Sequence, residues 1–172
     1  MTEPTELVEV ELGRIVLRDH SPVAPQYIYL RERGGERSFP IVIGLGEALE
    51  LQRVVTGVRT ERPMTHELLL RTIESLGARL DAVEIVDLRD NTFFARIRLV
   101  NEAGEVATEL DARPSDSIAL ATRARCPLRV CEAVLAEAML GHDLPSPPGA
   151  EGDPEPEPEP GSEPGPDEAP DF

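Results

Sequence analysis

The stretch Leu110-Asp-Ala-Arg-Pro-Ser-Asp-Ser-Ile118 carries a strand directly into a helix, and its reading decides the fold. Pro114 has the fixed φ that suits a first helical turn. Ser115 and Asp116 bring the short oxygen side chains that cap free backbone N–H groups. Upstream, Leu80 to Leu88, Thr92 to Val100 and Glu105 to Leu110 read as strands, with Asn101-Glu-Ala-Gly104 as a hairpin turn. Downstream, Ser115 to Arg123 reads as a helix. The same order occurs earlier in the chain: Leu7 to Leu17, Tyr27 to Arg33 and Arg37 to Ile43 as strands, then Glu47 to Val55 as a helix. A further helix closes each half, Pro63 to Leu76 and about Val130 to Leu140, with Gly77 and Gly141 as stops. Two β-β-β-α-α units predict a single α+β domain.

Comparing the two strand-to-helix junctions shows where the halves diverge. Ile43-Gly-Leu-Gly-Glu-Ala-Leu49 is glycine-rich, whereas Asp111-Ala-Arg-Pro-Ser-Asp116 gathers two carboxylates and a guanidinium. Arg62-Pro-Met-Thr-His-Glu67 opens another helix with polar groups, and Thr65 is the expected N-cap there. One specialised surface on a repeated scaffold is the expectation.

Composition bounds the rest. From Gly141 onward there are no basic residues, while ten acids (Asp143, Glu151, Asp153, Glu155, Glu157, Glu159, Glu163, Asp167, Glu168 and Asp171) are interspersed with prolines. Such a segment can bury almost no apolar surface, so residues 141–172 are expected to be a disordered acidic Pro/Glu/Gly-rich tail behind a domain of residues 1–140. Removing ten acids from 33 leaves 23 against 17 basic residues, about −6 of the total −16. Every basic residue is arginine, and only four Phe and two Tyr are present, too few for repeated base stacking. Cys126 and Cys131 lack metal or redox spacing and read as small core residues. His20, His66 and His142 are scattered, so no zinc site is indicated. The absence of GxxxxGK[ST] and of a complete GxGxxG argues against a nucleotide cofactor. The opening residues lack a basic n-region and an apolar h-region, and no stretch reaches membrane-spanning length, so a soluble cytoplasmic protein without a membrane partner is expected.

Phe39-Pro-Ile-Val-Ile-Gly44 with Glu47-Ala48, Arg62-Pro-Met-Thr-His-Glu-Leu-Leu69, Phe93-Phe-Ala95, Asp111 to Ala121 and Pro127-Leu-Arg-Val130 resemble the ordered blocks of the bifunctional nuclease domain family. The resemblance runs from about Leu7 to Leu140. Ser117 stands where alanine is expected and Glu67 where aspartate is expected. What the resemblance implies is a nuclease, a phosphodiester hydrolase acting on DNA and RNA, with nucleic acid as its partner. Together with an exposed sheet edge, it also implies a homo-oligomer.

Phosphodiester hydrolysis needs an activated water and stabilisation of phosphoryl charge, which carboxylates holding Mg²⁺ or Mn²⁺ can supply. Asp111, Asp116 and Glu47 are the candidate metal ligands, with Glu67 as another carboxylate in the catalytic set. His66 is the candidate general acid or base. Arg62, Arg113 and Ser115 are the candidate phosphate-binding residues. Each also has a structural reading. Asp116 suits a helix start, Arg113 can pair with it, and His66 and Glu67 can be solvated first-turn residues. Asp111 has the least structural excuse, as a charge at the end of an apolar strand. An acidic chain repels a phosphate backbone, so the alternative is a non-catalytic oligomeric binding or regulatory module that recognises a protein or a small ligand.

Overall fold

Alternating apolar and polar residues form seven strands in a computed structural model, which describes residues 6–18 and 24–140. The strands are β1 (Leu7–Val16), β2 (Gln26–Glu32), β3 (Ser38–Ile43), β4 (Ala78–Arg89), β5 (Thr92–Asn101), β6 (Val106–Ala112) and β7 (Leu128–Cys131). The helices are α1 (Leu45–Val55), α2 (Thr65–Ser75), α3 (Pro114–Ala124) and α4 (Glu132–Leu140). The fold is therefore mixed α+β. The expected tail, residues 141–172, and the Gly141 helix stop lie outside the described residues, as does the start of the chain. Among the described residues, no helix is long and apolar enough to cross a membrane.

Two antiparallel meanders, β1-β2-β3 and β4-β5-β6, flank β7, giving the sheet order β3-β2-β1-β7-β4-β5-β6. The central strand runs antiparallel to β1 and parallel to β4. This corrects the expected β-β-β-α-α order of the second half: Val130 and Cys131 belong to a strand, and α4 begins only at Glu132. The strand is hard to read because it has four residues. Its alternation of buried Leu128 and Val130 with half-buried Arg129 and Cys131 merges into the apolar helix that follows. The β4–β5 connection is tight, with Asp90 and Asn91 both in the left-handed region (φ 49° and 57°) that a two-residue hairpin turn requires.

Register assigns the two faces of the sheet. Val83 stands opposite Ile97, Ile85 opposite Ala95, and both neighbour the buried Leu128 and Val130. These residues share one core with Ile28, Leu30 and Phe39 of the first meander and with Leu51, Ile73, Ile118 and Leu135 of the four helices. Each fully buried side chain of this size contributes about 1.5–3 kcal/mol. The other face is ionic. Glu84 stands opposite Arg96 and beside Arg129, and only 2% of it is exposed. Arg96 donates to it at 2.7 Å, with Arg98 and Arg129 at 3.9 and 4.0 Å.

Helix starts differ in detail from expectation. Pro114 is the first residue of α3, as its ring demands, but the preceding Arg113 is the N-cap and no side chain caps the helix. Met64, not Thr65, is the N-cap of α2, again without a side-chain cap. The short polar side chains are thus free to make tertiary contacts instead of local ones.

Candidate functional site

Three helices bring their polar residues together. From α1 come Glu47, Glu50 and Arg53; from α2, His66 and Glu67; from α3, Asp116 and Arg123, with Arg113 just ahead of it. His66 Nε2 lies 3.0 Å from Asp116 Oδ1, and Nδ1 lies 3.8 Å from Glu50 Oε1. Arg113 donates through Nε to Asp116 Oδ2 at 2.8 Å, through Nη2 to Oδ1 at 3.2 Å and through Nη1 to Glu47 Oε1 at 2.9 Å. Beneath this layer, Arg123 donates to Glu50 at 2.6 Å, and Arg53 also donates to Glu50. Arg123 further lies 3.8 Å from Glu67, which accepts from Arg71 at 2.5 Å. Gly44 contributes by omission: a Cβ there would lie 2.5 Å from Glu47 Oε2, so a larger residue would push this carboxylate aside.

Electrostatics fix the protonation pattern. Burial raises the Asp116 carboxyl, but hydrogen bonds and charge from Arg113 and His66 outweigh it and hold the pKa below the ordinary aspartate value. An ionised carboxylate can only accept. The Nε2 of His66 therefore carries the proton donated to Asp116, and in the neutral ring Nδ1 is the basic nitrogen.

The structure brings His66, Asp116, Arg113, Glu47 and Glu67 into one cluster. Asp111 stays outside it. Asp111 stands opposite Arg96 across β5–β6, and residues directly opposite share a face, so it belongs to the ionic side of the sheet, away from the helices. A single step along the pleat separates it from Leu110 and Ala112, which face the other way. Ser115 is buried in the first turn of α3. Arg62 is exposed in the loop before α2, and its guanidinium makes no hydrogen bond or ion pair among the described residues. Glu50 and Arg123 were not foreseen. Only Glu50's place beside the buried Ala48 and Leu51 could have signalled that it turns inward.

Comparison with known proteins places this cluster in a family. The model of the bifunctional nuclease domain matches residues 28–142, which include every helix that supplies the cluster. The chain belongs to the bifunctional nuclease domain family. An uncharacterized protein of Mycobacterium tuberculosis is 39% identical over 130 residues, covering 76% of each chain. Bifunctional nuclease 1 of Arabidopsis thaliana is 27% identical over 116 residues, and that of Oryza sativa subsp. japonica is 26% identical over 115. Each plant match covers 66% of this chain but about a third of the plant protein (35% and 34%).

Within this member of the bifunctional nuclease family, the expected metal ligands do not assemble. Asp111 is on the far face, and a guanidinium bridges Glu47 and Asp116 where a cation shared by these carboxylates would have to bind. No group of three or more His, Cys, Asp or Glu among the described residues is arranged to hold a metal ion. What the cluster does contain is an oriented imidazole between two carboxylates with arginines on either side, the parts needed to move a proton and to hold an anion.

Proposed function

We propose that the His66 cluster is the catalytic site of a nuclease that hydrolyses phosphodiester bonds in DNA, RNA or both. The observation that carries this reading is the 3.0 Å contact of His66 Nε2 with an ionised Asp116, which leaves Nδ1 as a base. In this mechanism Nδ1 takes a proton from the attacking water. Asp116 and Glu50 stabilise the imidazolium, which then protonates the leaving oxygen. Arg113, exposed over 66% of its side chain, exchanges its carboxylate partners for phosphoryl oxygens, and Arg62 reaches a neighbouring phosphate. The local charge permits an anion despite the acidic chain. Arg53, Arg71, Arg113 and Arg123 match Glu47, Glu50, Glu67 and Asp116, so the protonation of His66 makes the site positive. The plant relatives' name, bifunctional nuclease, supports the same substrate class.

The test is cleavage of single-stranded RNA and DNA by protein freed of contaminating nucleases, with and without chelator. His66→Ala should lower kcat about a hundred-fold or more while the fold persists. Activity that survives both His66→Ala and Asp116→Ala would refute the site. No step above uses a metal. Loss of cleavage in chelator would reinstate Mg²⁺ or Mn²⁺ as a cofactor, bound in an arrangement other than Asp111, Asp116 and Glu47.

One observation favours the second reading, a non-catalytic binding or regulatory module: every carboxylate of the cluster is paired with a basic group, as in a clasp joining three helices. Under that reading the same substitutions loosen the fold and no preparation cleaves nucleic acid. Homo-oligomerisation through the exposed β6 edge, a cytoplasmic location and an origin by duplication of a meander-plus-helices unit belong to this proposal.

A further inference from the structure

Beyond the His66 cluster, at the other ends of α2 and α3, lies a cavity of about 510 Å³. His66 and Glu74 mark the two places along α2, roughly 12 Å apart at 1.5 Å per residue. Arg79, Arg98, Arg125 and Arg129 line the cavity, against the two acids Glu74 and Asp81. Asp81 is already satisfied. It is the extra residue of a β-bulge, and Nε and Nη2 of Arg98 both donate to its Oδ2, at 2.9 and 2.6 Å. Arg79 also reaches Asp81, at 3.5 Å, which leaves Arg125 and Arg129 as the weakly matched cations. Arg129 reaches only Glu84, at 4.0 Å, and the guanidinium of Arg125 makes no ion pair or hydrogen bond among the described residues.

Arg125 adds an independent observation. It ends α3 in the left-handed conformation, φ 54°, ψ 37°, where glycine is the unstrained choice. An arginine is strained there, and nothing among the described residues uses its charge. One unpaired guanidinium and one held only by a 4.0 Å ion pair, beside one cavity in a chain of net charge −16, call for a dianion. Leu70, Leu80, Ala124 and Pro127 supply the apolar part of its wall. The volume falls in the range of small-molecule sites, about 300–1,000 Å³, and exceeds what a bare oxyanion fills.

We propose that this cavity binds a small organic phosphate of nucleoside monophosphate size, with Arg125 and Arg129 clamping the phosphate and the apolar wall holding the organic part. The site does not depend on whether the His66 cluster cleaves phosphodiesters. Planar guanidiniums bind a phosphate through paired N–H donors, which distinguishes this pocket from a diffuse basic patch.

Calorimetric titration of the full chain at low salt tests it, using adenosine monophosphate, inorganic phosphate and adenosine as probes. The monophosphate should bind, inorganic phosphate more weakly and adenosine not measurably. Arg125→Gln with Arg129→Gln should weaken monophosphate binding at least ten-fold, whereas Arg31→Gln, on the exposed β2 pair with Glu11 and in neither site, should leave it unchanged. Because Cys126 also lines the cavity, its alkylation at alkaline pH, read by peptide mass spectrometry, should be slowed by the monophosphate. No monophosphate binding up to millimolar concentration, unchanged affinity in the double variant, loss of affinity with Arg31→Gln, or unprotected Cys126 would each overturn the proposal.

Discussion

Asp116 accepts hydrogen bonds from both Arg113 and His66, and that double commitment ties its charge to the stability of the fold. Its pKa in the folded chain is depressed below the unfolded aspartate value of about 3.9. The stability it contributes is therefore fully present above the unfolded pKa and is lost as pH falls through the folded one. Wild-type protein should exceed Asp116→Asn in urea midpoint at pH 7, and the gap should close below about pH 4. A gap that is constant from pH 7 to pH 3 would show that the carboxylate's charge is irrelevant. Glu50 tests the layer beneath. Its side chain is 9% exposed and that of Arg123 17%, so Glu50→Ala leaves a mostly buried guanidinium with only the 3.8 Å contact to Glu67 and should cost about 3 kcal/mol in chemical denaturation. His66, Glu47, Arg113 and Asp116 are legible in the sequence because each falls at a helix start beside a proline or glycine signal. Glu50 and Arg123 are not, because a charge inside a helix ordinarily faces water and an arginine in a last turn already suits the helix dipole.

At the level of elements, α3 links core and cluster, and its Ser117 fits that setting poorly. The residue is fully buried, and its hydroxyl has no hydrogen-bond partner. Replacing it by alanine removes an unsatisfied polar group without opening much space, and should stabilise the fold by about 1 kcal/mol. A lower thermal midpoint in Ser117→Ala would instead mean that the hydroxyl is satisfied by water or a ligand. The strands were legible wherever alternation ran for six or more residues, as in β3 and β5. It failed at β7, where four residues are too few to set a period. It also failed to give the face of Asp111, because a β-bulge or a one-residue slip anywhere in β6 would reverse it, and only the pairing with Arg96 decides. The same strand is an exposed edge along nearly its whole length, with Val106 and Leu110 uncovered. A second copy pairing there would cover both. Sedimentation at micromolar concentration should show a dimer that Val106→Lys with Leu110→Lys dissociates, since charges at both uncovered positions oppose edge pairing. A monomer at all concentrations would remove the expectation.

For the whole molecule, charge is the property that fold and cluster leave unexplained. Residues 141–172 carry ten acids and no base, so truncation after Leu140 changes the net charge from −16 to about −6. Two roles are distinguishable. A solvated appendage acts only through its long-range field, which is screened beyond about 8 Å at 0.15 M salt. A competitor that sits on an arginine-lined phosphate site acts at contact and persists at that salt. The sequence favours the first, because the Glu-Pro run has no apolar anchor to hold it against a folded surface. Truncation should accordingly leave the thermal midpoint nearly unchanged and raise affinity for single-stranded nucleic acid only at low ionic strength, where repulsion of the phosphate backbone is unscreened. Fluorescence anisotropy with a labelled oligonucleotide at 20 mM and 150 mM salt reads the difference. Equal affinities of full and truncated chains at 150 mM are expected. A several-fold gain in the truncated chain at that salt would instead identify the acidic segment as an inhibitor competing with phosphate for arginines such as Arg62 and Arg125, whose guanidiniums have no partner among the described residues.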